Sequence, residues 1–464
     1  GNVEYWVARV QPGRVLYDIT TRSYVQADYA QFVNFGGQHN FKFGIGDQKN
    51  VNKLVDSWYG PEGYVQLFWG TPWTDGRMGT YGYYAVHDGY SGGSTGGNIF
   101  HLYFQDSWRI HPRLTLNIGL RTERETIPSF QRDVKDYAFR FGFGDKLAPR
   151  LGASFDLFGD GRAKIYASWG RYFDWTKYDL ARGTFGADVW HTYYRTLDTL
   201  DVFNLGLSNL PGQNLWVSEY RNWRTPGFEY LDPNVKPMST EMTNVGFEYE
   251  LKPGTVLALH YVHNSLVRTI EDFGALDENG DEVYRYGNPG EGMYEYGPVS
   301  GATCDKEING VCTYRMPKPK RVYDAFEASI TRRFRGGWLA NASYVVSRLW
   351  GNYAGLQSTD EVLPFDTAYS SNQSFFGSTA RPGSNANRYY DLDEASYDAN
   401  GKYIEGRLPT DRPHVFKFYG AKLFSFGTEI GGFFRVSSGT PVTTQVTSVN
   451  HIPIYVNGRG DMGR

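Results

Sequence analysis

Residues able to do chemistry are thinly spread along this chain. Its nine histidines include His39, His87, His101, His111 and His191, each without a second acid, base or nucleophile at catalytic or metal-binding spacing. No H-E-x-x-H or phosphate-binding loop occurs, and the sequence gives no basis for an enzyme. One run, Asp277-Glu278-Asn279-Gly280-Asp281, sets side-chain oxygens at alternate positions as calcium loops do, which makes Asp277, Asn279 and Asp281 candidate metal ligands. Asn288 stands where the bidentate Glu of a complete loop belongs, so a solvated turn is the competing reading, and no other cofactor is expected. The two cysteines, Cys304 and Cys312, sit close together in a polar segment. A local loop disulfide in an oxidising space is the expected pairing, with a metal pair as the alternative.

The richest constellation is aromatic. Trp175, Trp190, Tyr193, Tyr194, Trp216, Tyr220 and Trp223 crowd one long segment together with Arg195, Arg221 and Arg224. Flat rings and forked guanidiniums suit recognition of a large ligand by stacking and paired hydrogen bonds. The alternative is that the same rings pack segment against segment and only hold a surface in shape. Net charge is −3 and no block of five or six like charges appears, which argues against a nucleic-acid partner.

The elements that position these groups are strands. Mean hydropathy is −0.51 and no apolar run reaches the ~18 residues of a membrane helix. Aromatic residues nevertheless reach 17% beside 55 glycines, which suits strands with ring-rich faces joined by glycine turns. In Leu114 to Glu123 the apolar set Leu114, Leu116, Ile118, Leu120 alternates with Thr115, Asn117, Gly119, Arg121 and Glu123. Period-two alternation over about 10 residues is what a strand needs when one face meets lipid and the other a wet lumen. Arg150 to Leu157 repeats it, turns at Gly159-Asp160-Gly161, and resumes with Ala163, Ile165, Ala167 and Trp169. Three further hairpins share the design, turning at Lys252-Pro253-Gly254, Arg335-Gly336-Gly337 and Ser425-Phe426-Gly427.

Between hairpins the connections are long: about Glu125 to Lys146, Phe173 to Ser239, Ser265 to Lys320 and Leu349 to Pro413. Strict alternation of short and long links is expected of an up-and-down barrel crossing the bacterial outer membrane, with tight periplasmic turns and long extracellular loops. Strand-borne histidines then read as lumen-facing hydrogen-bonding groups. Trp108, Trp169 and Trp338 read as interfacial girdle rings. Further strands are expected near Arg22 to Val33, His39 to Asp47, Gly63 to Trp69, Gly79 to His87 and Gly97 to Arg109, roughly 14 in all. Gly1 to Thr21 and Ser438 to Arg464 fall to outside-facing loops or incomplete strands. Two charges strain the pattern, since Asp106 and Arg332 fall on lipid-facing positions; interfacial placement or snorkelling near the periplasmic ends relieves them.

Specific residues also carry a resemblance. Phe104-Gln105-Asp106-Ser107-Trp108 followed by Leu114-Thr115-Leu116-Asn117-Ile118-Gly119-Leu120-Arg121, then Leu147-Ala148-Pro149-Arg150-Leu151-Gly152 and Tyr166-Ala167-Ser168-Trp169-Gly170-Arg171-Tyr172, resemble the barrel of TonB-dependent receptors of the Oar-like group, which carry a carboxypeptidase-regulatory-like domain. Gly406-Arg407-Leu408-Pro409-Thr410-Asp411-Arg412-Pro413-His414, Ser438-Gly439-Thr440-Pro441 and Tyr455-Val456-Asn457-Gly458-Arg459-Gly460 continue it in the same order. The resemblance implies a barrel of about 22 strands around a plug that TonB and its inner-membrane motor pull. It implies no substrate. With no initiating Met, export signal, plug or TonB box in view, residues 1–464 are expected to be part of one barrel domain, with the plug and closing strands elsewhere.

The expected function is energy-coupled outer-membrane transport of a large or scarce substrate, protein or glycan, bound by extracellular loops. A passive porin or adhesin barrel is one alternative. A secreted, aromatic-rich carbohydrate-binding β-protein is another.

Overall fold

The computed structural model describes residues 15–57, 62–132, 135–176, 188–216, 221–224, 230–276, 282–291, 294–296, 306–308, 311–315, 318–355, 404–447 and 453–462. The first strands are β1 (Val15–Asn34), β2 (Gln38–Ser57), β3 (Tyr64–Trp69), β4 (Gly82–His111), β5 (Leu114–Pro128), β6 (Tyr137–Phe141), β7 (Ala148–Asp156) and β8 (Ala163–Phe173). Next come β9 (Asp188–Thr196), β10 (Arg221–Arg224), β11 (Tyr230–Leu231), β12 (Ser239–Lys252), β13 (Thr255–Arg268), β14 (Glu271–Leu276), β15 (Glu282–Gly287), β16 (Tyr294–Tyr296), β17 (Lys306–Ile308) and β18 (Val311–Arg315). The last are β19 (Arg321–Arg335), β20 (Trp338–Gly351), β21 (Gly406–Arg407), β22 (His414–Leu423), β23 (Glu429–Ser437), β24 (Gln445–Thr447) and β25 (Pro453–Tyr455). No described helix is long and apolar enough to cross a membrane.

Among the described residues, seventeen strands share one sheet. Twelve of them run in series as an antiparallel meander, β1-β2-β4-β5-β7-β8-β12-β13-β19-β20-β22-β23. The expected count of roughly 14 falls between these figures, because short strands at the rim join the sheet without crossing. Links 35–37, 112–113, 157–162, 253–254, 336–337 and 424–428 are short and lie at one rim. Links 58–81, 129–147, 174–238, 269–320 and 352–413 are long, and the strands they join end at the other rim.

Alternation sets the two faces. Leu102, Ile118, Leu120, Leu151, Ile165, Val245, Phe326 and Ile330 are exposed large apolar side chains on the outer face, as a hydrocarbon-facing surface requires. On the inner face glycines let rings from the next strand lie flat. A Cβ at Gly44 or Gly246 would run into the Tyr103 or Tyr166 ring, the cross-strand ring-over-glycine packing that pins register.

Two expectations change. The segments Gly79 to His87 and Gly97 to Arg109 are not separate crossings but parts of the single 30-residue β4, continuous through Gly92-Gly93-Ser94-Thr95-Gly96-Gly97. At ~3.4 Å per residue β4 is about 100 Å long, while a crossing needs only ~10 residues, so its first half stands above the barrel. Residues from Val15 to Thr21, expected in an outside-facing loop or an incomplete strand, extend β1 by seven residues beyond the expected start at Arg22.

His39 is a further correction, since it points outward rather than into the lumen. Its Nδ1 lies 2.7 Å from Asp106 Oδ2 and its Nε2 3.1 Å from the Phe35 carbonyl oxygen. Phe35, Phe41 and Trp108 stack around it at 4.4, 5.1 and 5.1 Å. Asp106 is therefore only 8% exposed and paired, which relieves its place on the outer face. Arg332 snorkels over the Trp338 ring at 4.0 Å and donates to the Arg335 carbonyl at the turn.

Candidate functional site

The inner wall is polar and shaped. Gly119 and Gly152 leave backbone open on the inner face, and Tyr103, Arg121, Arg150 and Tyr166 border a hollow of about 570 Å3 there. Arg121 donates to Glu123 at 2.8 Å, and Lys164 pairs with Glu248 at 3.0 Å. Such paired charges suit a water-filled interior and would be costly against lipid.

Above this hollow the long 174–238 link begins by folding inward. Buried Lys146 pairs with Glu125, and its ammonium also donates to the Asp174 carbonyl at 3.2 Å. The Thr176 amide donates to Glu125 Oε1 at 3.0 Å. Trp175 lies between them, its ring under the Arg22 guanidinium at 4.4 Å.

The projecting half of β4 organises the mouth. β3 pairs with it on one side and β9 on the other, and β10 pairs with β9. His87 knits the three strands together, sharing hydrogen bonds with Gln66 and Thr192 at 3.0 Å each. Burial lowers His87 from 6.5 to about 4, so it is neutral at physiological pH. Tyr84 is fully buried and donates to the Pro211 carbonyl at 2.6 Å; burial pushes its phenol up. Arg77, held by Asp75, donates to the Asn214 and Leu215 carbonyls and ties the 70–79 turn to the long link. Asp198 accepts from the Thr80 amide, which holds its carboxyl below the usual range.

The aromatic candidates divide. Tyr194 is buried and packs at 4.6 Å from Trp73 and 6.0 Å from Trp216, while Trp216 meets Trp73 edge-on at 5.6 Å. Tyr193 is half-buried against the Val65, Leu67 and Tyr84 cluster. Arg195 lies opposite Tyr84, with a buried Nε that has no hydrogen-bond partner among the described residues. Trp190 pairs through its backbone with Gly89 and Arg224. Arg221, Trp223 and Arg224 form β10, next to β9, whereas Trp175 sits apart on the inner wall.

Tyr220, the metal candidates Asp277, Asn279 and Asp281, and Cys304 lie outside the described residues. Cys312 is on β18, its backbone opposite Glu307. Sequence reasoning missed Trp73, Arg77, Tyr84 and His87 as mouth residues. Their signal was the ring density from Tyr64 to Tyr84, equal in kind to that from Trp190 to Trp216 but absorbed into supposed membrane crossings.

Three of the resembling motifs meet at the same rim. Asp411 accepts from the Leu349 amide at 2.8 Å and from Arg407 at 2.8 Å. Arg412 donates to the Ser438 carbonyl at 2.9 Å, and Gly406 packs against the Arg459 backbone. Motifs distant in sequence thus close the β20–β22–β23 end of the sheet.

Comparison with known proteins agrees with this architecture. Residues 21–144 and 143–392 match the outer membrane beta barrel domain family. The chain is 29% identical over 363 residues to the TonB-dependent transporter Oar of Myxococcus xanthus, covering 73% of this chain and 30% of that protein. The chain thus spans less than a third of its relative's length. Among solved structures, the outer membrane transporter YddB from Escherichia coli overlaps 95% of this chain and 46% of its own at 11% identity and TM-score 0.49. P. aeruginosa FpvA bound to heterologous pyoverdines overlaps 94% and 40% at 12% identity and TM-score 0.46. With more than half its length matched and every link in barrel order, the chain belongs to the outer membrane β-barrel domain family and is a protein of the bacterial outer membrane.

Proposed function

We propose that this chain is the wall and mouth of a TonB-dependent transporter that moves a large or scarce substrate across the outer membrane. The observation that carries the reading is the polar, hollowed inner wall beneath a tall ring-rich mouth, with every long link joining strand ends on the mouth side. The similarity to the TonB-dependent transporter Oar supports it. In this reading the β9–β10 edge, with Tyr193, Arg195, Arg221, Trp223 and Arg224, meets the substrate, while Tyr194 and Trp216 stiffen the platform. A plug in the full-length protein blocks the lumen and passes the pull of TonB to it.

A passive porin is the second reading, favoured by the inward fold of the 174–238 link at Trp175 and Thr176. Planar-bilayer conductance of the full-length protein separates the two. A plugged transporter gives no steady current, whereas a steady open pore overturns the proposal.

A further inference from the structure

The outer face between β1 and β6 carries a feature that transport does not use. Tyr29, Phe43, Ile45, Leu102, Phe104 and Leu120 line an apolar groove of about 560 Å3. All six project outward, because Phe43 lies opposite Phe104 and Ile45 opposite Leu102 across β2 and β4, and Phe104 opposite Leu120 across β4 and β5. Directly towards the extracellular rim the same face turns basic. Lys49 lies opposite Asn98, Asn98 opposite Thr126, and Thr126 opposite Arg140, so one cross-strand row carries a cation at each end. Arg124 stands one row nearer the groove, its guanidinium 5.9 Å from the Phe100 and Phe143 ring centres, and Lys53 lies two pleat repeats beyond Lys49.

Ion pairing differs along the rim: outward Arg171 donates to Glu241 at 3.1 Å, whereas Arg348 lies over the Trp350 ring at 4.0 Å. Lys49, Lys53, Arg124 and Arg140 are exposed and have no carboxylate in ion-pair reach among the described residues. Among the described residues, Asp47, opposite Phe100, is the one acid within the patch. From the top of the groove at Ile45 and Thr122 to Lys49 and Arg124 is about 7–13 Å along the strands, within the reach of long side chains. Long basic side chains reach back over that span, so a chain in the groove and a phosphate on the cations can belong to one molecule.

The geometry points to a docking site for one phosphorylated acyl lipid of the outer leaflet, its chain in the Phe43–Leu102–Leu120 groove and its phosphate on Arg124, Lys49 and Arg140. Apolar slot and unpaired cations each lack what the other end of such a molecule supplies. The inference rests on the membrane placement of the barrel and not on transport, so its failure leaves the transport reading untouched.

The test uses the full-length protein, extracted from outer membranes in mild detergent and washed. Lipid phosphorus per protein and native mass spectrometry are measured for the parent, for R124A/R140A, for the groove-filling L102W, and for R171A/E241A as a control. Folding is checked by heat-modifiable gel mobility. One phosphorylated lipid is expected to survive washing on the parent and the control. It should fall at least roughly tenfold in R124A/R140A, and in L102W with all cations intact. Should R124A/R140A fail to fold, L102W and release of the lipid by salt carry the decision. Equal retention in every folded variant, or retention of uncharged lipid or detergent alone, overturns the proposal.

Discussion

An acid facing hydrocarbon is tolerable only if something answers its charge, and Asp106 shows how. His39 reaches it from the next strand, and Phe35, Phe41 and Trp108 sheathe the pair. Asp106 Oδ1 has no hydrogen-bond partner among the described residues, so the carboxylate depends heavily on His39. Replacing His39 by Leu is expected to cost about 2–4 kcal/mol, because a lone charge is left in an apolar setting. The double change H39L/D106L should recover most of that loss, since an apolar pair suits the outer face. Urea-unfolding midpoints in detergent micelles read both. If the single and double variants unfold alike, the pair is not what holds Asp106. The alternation in the sequence showed which face Asp106 occupies. It could not show the partner, which lies 67 residues away and meets it only through strand pairing.

At the scale of elements, β4 carries two structures on one strand, and the sequence concealed this for a physical reason. Gly92 to Gly97 reads as a turn, yet glycines also serve where strands pack closely, and β2 pairs across the whole stretch. The cap above it depends on neutral His87. In an unfolded chain that ring titrates near 6.5, while in the cap it titrates near 4. Stability from this source is therefore complete above pH 6.5 and is lost as pH falls towards 4, by up to about 3 kcal/mol. Hydrogen exchange of β3 and β9 amides should accelerate over that window, and H87Q should flatten the dependence. An unchanged pH profile in H87Q would remove His87 as the cause. The hairpins from β7 onward were legible because each turn has its own glycine and each strand a clean period of two. The mouth was not, because its strands obey the same period while facing water and loops instead of lipid.

For the whole molecule, sidedness is the governing claim. Leu200 in a long link and Phe426 in a short one are both well exposed, at 65% and 74%. In intact cells a membrane-impermeant maleimide should modify L200C and spare F426C, and permeabilisation should expose the second. Labelling of F426C from outside would invert the barrel. The family was legible from motifs that the fold then gathers at one rim. The contacts of Trp175 were not, because a ring can face a ligand, a neighbour or the lumen with the same sequence around it. Finally, β4 runs as one piece of backbone from the tip of the mouth to the inner rim, with its glycines densest from Gly92 to Gly97. A beam of that kind concentrates its flexing where it is thinnest, so whatever leans on the tip tilts a lever whose fulcrum is this glycine section rather than shaking loose a loop.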